Sequence, residues 1–372
     1  MQICICRVRV EYVKLKAICM PKQWKTIASS MLKDSGYPVY GANGIIGYYS
    51  EYNHDKETIL VTCRGATCGS VNICEPFSYI NGNAMALDNL DEKIDIKYLY
   101  YYLKKRGFDD VISGSAQPQI TRTSIEKIEI PICEISKQKM IVNLFDKIEL
   151  LINNQKRQLQ LLDELVKARF VEMFGDENNS KGWEIVNIED VANVQVGVVI
   201  KPSQYYTDQY NGIKAFRSLN IGNGYIKDDD WVYFSKEGNK KNKKSILSTN
   251  DVLVVRSGAP GTACVVTSEY AGSNAIDVII AHPDFQKVDS HYLCTYTNMP
   301  HGKSQIIEGT GGAAQQHFNV GKYNKLKLML PPLEYQKQYV KFLEEIDKSR
   351  LRELLAIKQI KLLLNDSWLL FY

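Results

Sequence analysis

The 372-residue sequence predicts an α+β fold in which two strand-rich domains alternate with two long helices that pair as a coiled coil. Three observations lead to this prediction. One short segment occurs twice, near residues 113–131 and 311–329. Each copy is followed by a stretch without Pro or Gly, at 138–174 and 336–372. The remaining segments contain short apolar runs bounded by turn residues, which is typical of strands.

The repeated segment reads "SGSAQPQITRTSIEKIEIP" in the first half and "GGAAQQHFNVGKYNKLKLM" in the second. Pairs of identical residues occur at a fixed offset of 198: Gly114/Gly312, Ala116/Ala314, Gln117/Gln315 and Lys127/Lys325. The same offset pairs Gln138-Lys139 with Gln336-Lys337, and Ile148 with Ile346. Because each copy also precedes a long helical pattern, internal duplication explains the repeat better than chance does.

Both long stretches show apolar residues at steps of three or four, which predicts one apolar helical face in each. The predicted packing residues are Ile141, Leu144, Ile148, Leu151 and Leu162 in the first helix, and Leu343, Ile346, Leu354, Ile357 and Leu364 in the second. A single stripe of this kind is usually ordinary core. Helices of about 55 Å, at ~1.5 Å per residue, are too long for one small domain to cover, so the two predict a coiled-coil pair. Gly175 is the expected C-cap of the first.

The segments 11–135 and 181–335 are predicted to be strand-rich, with short helices at 94–105 and 288–299. Their inserts differ. Residues 20–55 have no evident counterpart in the second half, and "FSKEGNKKNKKS" (234–245) has none in the first. A similar frame with dissimilar inserts suits one scaffold that presents two different recognition surfaces.

Composition narrows the class of protein. A hydrophobic content of 45% and a charged content of 24% are typical of soluble globular proteins. No apolar run is long enough to predict a membrane span, and the N-terminus lacks the pattern of a signal peptide. The nine scattered cysteines predict reduced thiols and a cytoplasmic location. Cys63, Cys68 and Cys74 lack the spacing of a zinc site.

No catalytic motif is complete. "HGKSQ" (301–305) ends like a phosphate-binding loop, but Thr297 stands where that loop requires Gly. "GTGGAAQ" (309–315) is not followed by a helical pattern. The five histidines have no metal-binding spacing, and Asp284 is not followed by the Glu-x-Lys of a nuclease.

Several residues have the chemistry to contact nucleic acid, although the net charge is only +4. Lysines can neutralise phosphates, and Gln, Asn and Arg can read base edges. The candidates are Lys22, Gln23, Lys25, Tyr40, Asn43, Arg64, Arg217, Lys240, Lys241, Lys243, Lys244 and Arg256. Each has a simpler alternative. The lysine-rich loop could be a solvated surface loop, Trp24 a packing residue, "YGANGIIGYY" (40–49) an ordinary hairpin, and Arg64 or Arg256 the partner of a structural carboxylate.

Longer stretches resemble a known family. "YPVYGANGIIGYYSEYNHDKETILVTCRGATCGSVNICEP", "LLDELVKARFVEMFGD" and "LPPLEYQKQYVKFLEEID" are similar to segments of the specificity subunit of type I restriction-modification systems. The resemblance implies two target recognition domains at 1–135 and 177–335, and two conserved spacer helices at 136–176 and 336–372 that pack antiparallel. Each domain would read one half of a gapped double-stranded DNA site, and the helices would set the gap.

The resemblance also implies partners. The chain would be non-catalytic and bind no metal or cofactor itself. It would dock two modification subunits, which bind S-adenosylmethionine and methylate adenine, and two restriction subunits, which use ATP and Mg. Gln117 and Gln315, shared by domains that read different sequences, are expected to fix a loop or contact the DNA backbone. The alternatives are a fused methyltransferase-endonuclease fragment, which requires motifs that are not found, and a coiled-coil adaptor that does not bind DNA.

Overall fold

A computed structural model describes residues 11–114, 117–310, 318–367 and 371. The chain divides into two compact units, Met1–Lys156 with Leu354–Tyr372, and Arg157–Glu353. The predicted loop residue Gln315 and the matched residues Ala116, Gly312 and Ala314 lie outside the described residues.

The first unit begins with strands and ends in a long helix. Its strands are β1 (Glu11–Lys14), β2 (Met20–Gln23), β3 (Tyr37–Gly41), β4 (Gly44–Tyr49), β5 (Thr58–Thr62), β6 (Val71–Cys74), β7 (Tyr79–Ile80), β8 (Ala84–Asp88) and β9 (Glu129–Ile132). Its helices are α1 (Ile96–Arg106), α2 (Arg122–Ile125) and the first part of α3 (Ile135–Phe174).

The second unit repeats this order. Its strands are β10 (Glu184–Asn187), β11 (Ala192–Val196), β12 (Tyr206–Thr207), β13 (Ile213–Phe216), β14 (Val232–Phe234), β15 (Val252–Val255), β16 (Ala263–Val265), β17 (Asn274–Ala275), β18 (Val278–Pro283) and β19 (Lys327–Leu330). Its helices are the last part of α3, α4 (Lys236–Lys241), α5 (Ser290–Asn298), α6 (Pro300–Thr310), α7 (Val320–Asn324) and the first part of α8 (Leu333–Ser367). The last part of α8 belongs to the first unit.

The sheets of the two units correspond. Each unit has a four-stranded antiparallel sheet, in the order β2-β8-β5-β6 or β11-β18-β15-β16. Each also has a second sheet, β4-β3-β7 or β12-β14-β13-β17, and a two-stranded ribbon, β1-β9 or β10-β19. In the ribbons, Glu11 pairs with Ile132, and Glu184 with Leu330, so the partners Ile132 and Leu330 keep the offset of 198. The predicted mixed helix and sheet architecture is confirmed.

A buried glutamine lies near the start of each long helix and makes equivalent hydrogen bonds in the two repeats. The side chain of Gln138 is fully buried; its Oε1 accepts from Asp95 N at 2.8 Å, and its Nε2 donates to Lys93 O and Cys133 O. Gln336, also fully buried, makes the same contacts with Asp289 N, Lys287 O and Pro331 O. Since a buried amide must be hydrogen-bonded, this position fixes each helix to its own domain.

Aromatic clusters also anchor the long helices within each unit. In the first unit, Phe145 of α3 packs against Tyr101 of α1, with ring centroids 5.1 Å apart. In the second, Phe170 and Phe174 of α3 contact Tyr292 of α5 at 5.8 and 4.8 Å. Buried rings of this size contribute much of the core apolar area, so both helix ends belong to domain cores.

Within the second unit, α3 and α8 run antiparallel. The Tyr339 hydroxyl donates to Val166 O at 3.2 Å, and Arg350 pairs with Asp163 at 2.6 Å, so residue numbers rise along α8 as they fall along α3. The helix α3 ends at the predicted Gly175, whose φ of +91° is the left-handed conformation that glycine adopts at a helix C-terminus.

The predicted packing residues of the helices separate by burial. Ile141, Ile148 and Ile346 are buried, and Leu144, Leu162, Leu343, Ile357 and Leu364 are partly buried. Leu151 and Leu354 are 48% and 54% exposed, so the prediction that they pack is wrong. They lie beside the less exposed side of their helices. In α3 the step of four from Ile148 falls on Ile152, and in α8 the steps from Ile346 fall on residues 350, 353 and 357.

The sequence "HGKSQ" lies inside α6, where no phosphate-binding loop can form. Among the described residues, no three His, Cys, Asp or Glu side chains are grouped closely enough to hold a metal ion. None of the helices in the described part of the chain combines the length and the apolar character needed to cross a membrane.

Candidate nucleic-acid interface

In the first unit, strands from both sheets end at a common edge. The hydroxyl of Thr62, at the end of β5, donates to Ala42 O, directly after β3. The chain after β5 also meets the first repeated segment, since Ile120 N donates to Cys63 O at 3.0 Å and Gly65 N to Pro118 O at 3.1 Å. Loops from distant parts of the sequence therefore converge at this site, which we call the reading edge of the first unit (Gln23, Ala42–Asn43, Cys63–Thr67 and Gly82).

Three of the predicted DNA-contacting residues meet at the reading edge. The Gln23 Nε2 lies 2.9 Å from Cys63 Sγ and 3.0 Å from Gly82 O. The Asn43 Oδ1 accepts from the Thr67 hydroxyl at 2.6 Å. Arg64, directly after Cys63, is exposed. Two amides and a guanidinium on loops that meet at one edge have the chemistry for direct base readout.

Lys22 and Lys25 lie on either side of Gln23 in the chain. Lys22 lies with its Nζ 3.6 Å from the centre of the Trp24 ring, beside an open cleft of about 860 Å³. The Trp24 indole donates to Asp88 Oδ2 at 3.1 Å, and His54 contacts Asp88 Oδ1 at 2.9 Å. Trp24 is therefore held in the framework of the unit, and Lys22 faces the cleft beside it; Lys25 is exposed.

Tyr40 does not belong to the interface. Its side chain is 7% exposed, and its hydroxyl accepts a hydrogen bond from Glu75 N. Burial also raises the pKa of this hydroxyl. The structure therefore gives no support to a DNA contact at Tyr40, because this side chain belongs to a core cluster with Leu60 and Ile80.

In the second unit, Arg256 has a structural partner. Its Nη1 lies 2.7 Å from Asp277 Oδ1, its Nε donates to Phe318 O at 3.0 Å, and the side chain is 14% exposed. Phe318 N in turn donates to Arg256 O, just as Ile120 N donates to Cys63 O. Arg256 therefore occupies the position of Cys63 rather than that of Arg64, and it closes the loop instead of facing solvent.

Arg217 is also bound within the second unit. Its guanidinium pairs with Asp230 at 3.1 Å and donates to Asp230 O, while its Nε is buried without a partner. The carboxylate of Asp230 offsets the charge of Arg217, which leaves little positive charge for a phosphate.

The lysine-rich insert folds into a fixed element. Lys240 and Lys241 lie in α4, and Lys243 and Lys244 in the following 3₁₀ turn; all four are exposed. Beneath them, the buried Asn274 donates to Asn239 Oδ1 and accepts from the Ser245 hydroxyl, both at 2.7 Å. Buried polar networks of this kind hold a segment in place, so the lysines form a positioned cluster rather than a loose loop.

The sequence did not indicate Thr67 or Cys63 as members of the reading edge. Each is hydrogen-bonded to a residue far away in the chain: Thr67 to Asn43, and Cys63 to Gln23. A signal for Cys63 was nevertheless present, because the matched runs "LVTC" and "LVVR" align it with Arg256.

A family model for the "Type I restriction modification DNA specificity domain" matches residues 7–163 and 180–362. A putative type I restriction enzyme specificity subunit from Haemophilus influenzae is 25% identical over 335 residues, covering 87% of this chain and 83% of the relative. The MjaVIII specificity subunit from Methanocaldococcus jannaschii is 21% identical over 313 residues, covering 79% of this chain and 73% of the relative.

Solved structures share the fold. The type I restriction-modification S subunit from M. genitalium superimposes with a TM-score of 0.58 at 14% identity, covering all of this chain and 98% of that one. A chain from a type I R-M complex gives a TM-score of 0.59 at 12% identity, covering 97% of this chain and 96% of that one. The two matched segments coincide with the two repeats of the fold, and the chain therefore belongs to the family of type I restriction-modification DNA specificity domains, whose function is sequence-specific DNA recognition.

Proposed function

We propose that this chain is the non-catalytic specificity subunit of a type I restriction-modification complex and that each unit reads one half of a gapped DNA site. The observation that carries the proposal is that the two units share one arrangement of strands and helices but expose different side chains. The two units share ribbons, sheets and the buried glutamine, whereas the first presents Gln23, Asn43 and Arg64 and the second presents a cluster of lysines.

The long helices are proposed to set the gap between the two half-sites. The helix α3 spans 40 residues and α8 spans 35, and each is joined to domain cores through Gln138 or Gln336. An α-helix is a stiff element of fixed rise per residue. A spacer of this kind suits a duplex, because half-site separation is tied to the helical repeat of DNA.

The helices also offer surfaces for the two modification subunits. In the first unit, Met140 and Leu144 of α3 line a groove of about 510 Å³ with lysines on its rim. Leu354 and Leu362 of α8 line another of about 310 Å³. Additional exposed leucines lie on both helices, namely Leu150, Leu151, Leu161, Leu165, Leu351, Leu355 and Leu363. Exposed apolar side chains in such number are typical of protein interaction sites.

The chemistry of the complex is assigned to its other subunits. We propose that S-adenosylmethionine is bound by the modification subunits, and ATP and Mg by two restriction subunits. The chain itself contributes DNA sequence recognition and a scaffold.

Mapping methylated adenines in a genome that expresses the chain with its modification subunit tests the proposal. We expect a two-part motif interrupted by a gap of constant length. Methylation at one contiguous motif, or at unrelated sequences, would contradict the reading of two half-sites. Expression without the chain is the control, and it should abolish the motif.

The lysine cluster on α4 makes a separate prediction. Replacing Lys240, Lys241, Lys243 and Lys244 by alanine should weaken binding of the complex to DNA. In a plot of the logarithm of the DNA association constant against the logarithm of the salt concentration, the slope should become less steep by up to about 3.6. This is ~0.9 for each phosphate that the protein no longer neutralises. The motif itself should not change. Alanine at Lys181, Lys337, Lys341 and Lys348, four exposed lysines outside the cluster, serves as the charge-matched control. An equal fall in slope in both variants would show that the cluster has no special role.

A further inference from the structure

The polarity of the Gln23 amide is fixed by its surroundings. The Nε2 donates to Gly82 O at 3.0 Å and to Cys63 Sγ at 2.9 Å, which uses both amide hydrogens. A carbonyl oxygen such as Gly82 O can only accept, so the amide cannot be turned around without losing this bond. The side chain nevertheless lies at the exposed end of β2. Its remaining hydrogen-bonding group is Oε1, which is an acceptor.

The Cys63 thiol is suited to hold this amide. It is fully buried, and its S–H donates to Asn83 O at 3.2 Å, which leaves the sulfur lone pairs to accept from Gln23. Burial raises the pKa of the thiol, so it stays protonated at neutral pH and the donation to Asn83 O persists. Both partners of the Gln23 Nε2 lie next to strand ends, Cys63 directly after β5 and Gly82 between β7 and β8.

Arg64 differs from the other arginines. In the described part of the chain, it is the arginine without an ion pair or a side-chain hydrogen bond, although it is exposed at the reading edge. Every other described arginine has such a partner: Arg106, Arg122, Arg157, Arg169, Arg217, Arg256, Arg350 and Arg352. Its five N–H donors therefore remain available, and an arginine fork fits the O6 and N7 acceptors of guanine.

We propose that the first unit reads a guanine through Arg64 and, at a neighbouring base pair, an exocyclic amino group of either adenine or cytosine through Gln23. The inference rests on the proposed function and specifies the bases at its first half-site. Glutamine usually recognises adenine with a donor and an acceptor together. Gln23 has only the acceptor, so it selects the amino group of adenine N6 or cytosine N4 and rejects thymine and guanine on the contacted strand.

The assignment to neighbouring base pairs rests on the closeness of Gln23 and Arg64 at the reading edge. Gln23 is hydrogen-bonded to Cys63, the residue directly before Arg64. The half-site is therefore expected to contain a guanine next to a position at which adenine and cytosine are both accepted.

Variants of the full-length chain, assembled with its modification subunit, test the proposal by mapping methylated sites. Arg64→Ala should reduce the preference for one guanine by about 10- to 100-fold, and Gln23→Ala should make the neighbouring position accept all four bases. Cys63→Ala frees one amide hydrogen of Gln23, so the amide gains a donor beside its acceptor. The base pair that Gln23 contacts should then be restricted to adenine, instead of adenine or cytosine. The second half-site should stay unchanged in all three variants.

Arg106→Ala, which removes an arginine paired with Asp110 on α1, is the matched control and should leave the whole motif intact. A wild-type motif that has a gap but accepts adenine alone at the Gln23 position would overturn the proposal, as would an unchanged first half-site in the Arg64→Ala and Gln23→Ala variants. An unaltered mixture of adenine and cytosine in Cys63→Ala would show that the thiol does not hold the amide. Failure of the proposed function is distinct, because no gapped motif would then appear with the wild-type chain.

Discussion

Replacing Gln138 by leucine is expected to lower the free energy of unfolding by about 3 kcal/mol, because three buried backbone groups lose their partner. These groups are Asp95 N, Lys93 O and Cys133 O, all within the first unit. Leucine has a similar volume, so the loss comes from unsatisfied polar groups rather than from a cavity. Thermal or urea unfolding of the full chain measures the change.

The same substitution at Gln155 is the matched control. Gln155 lies further along α3, and its Oε1 is buried without a hydrogen-bond partner. Gln155→Leu removes that unpaired oxygen from the apolar stripe, so the free energy of unfolding should stay equal or rise by up to about 1 kcal/mol. Equal losses in the two variants would mean that the contacts of Gln138 have no special weight.

Gln336→Leu extends this prediction to the second unit. Its amide contacts Asp289 N, Lys287 O and Pro331 O in the same way, so the loss should again be about 3 kcal/mol. A large loss at one glutamine and none at the other would contradict an equivalent role in the two repeats.

Inserting one heptad into both long helices is expected to lengthen the gap of the recognised DNA site by about three base pairs, since seven helical residues add ~10.5 Å. The insertion sites are next to Lys156 in α3 and Glu353 in α8, near the middle of each helix. A heptad preserves the steps of three and four in the apolar stripe, so the seam stays continuous. Mapping methylated adenines gives the gap directly.

Two controls accompany this insertion. A heptad added to α3 alone puts its later apolar residues out of register with α8, and it should abolish methylation. Replacing residues 157–163 by the same heptad without adding length should leave the gap as it was. A motif whose gap does not change after the paired insertion would show that the helices do not set it.

Some features of this fold could be read from the sequence because they depend on local pattern. The absence of Pro and Gly over 138–174 and the steps of three and four predicted helices that the structure places at Ile135–Phe174 and Leu333–Ser367. The offset of 198 is a property of the sequence alone, and Gln138 and Gln336 match at that offset because each must satisfy the same backbone groups.

The fate of single side chains was harder to predict. Leu151 and Leu354 fit an apolar stripe, yet they are about half exposed, because a heptad-like pattern admits more than one seam and only the neighbouring helix selects it. Tyr40 lies in an aromatic, glycine-rich segment that resembles an exposed loop, but the last three residues of β3 are all buried, and Tyr40 belongs to a core cluster with Leu60 and Ile80.

The sequence by itself determined the duplication, the long helices and the set of residues with the chemistry to contact DNA. Only the tertiary structure decided which of those residues are free to do so. Arg256 and Arg217 are held by Asp277 and Asp230, whereas Arg64 has no such partner among the described residues. The physical reason is that the groups folded against a charged or amide side chain decide which of its hydrogen-bonding atoms remain free. For Gln23 these groups lie 40 and 59 residues away in the chain.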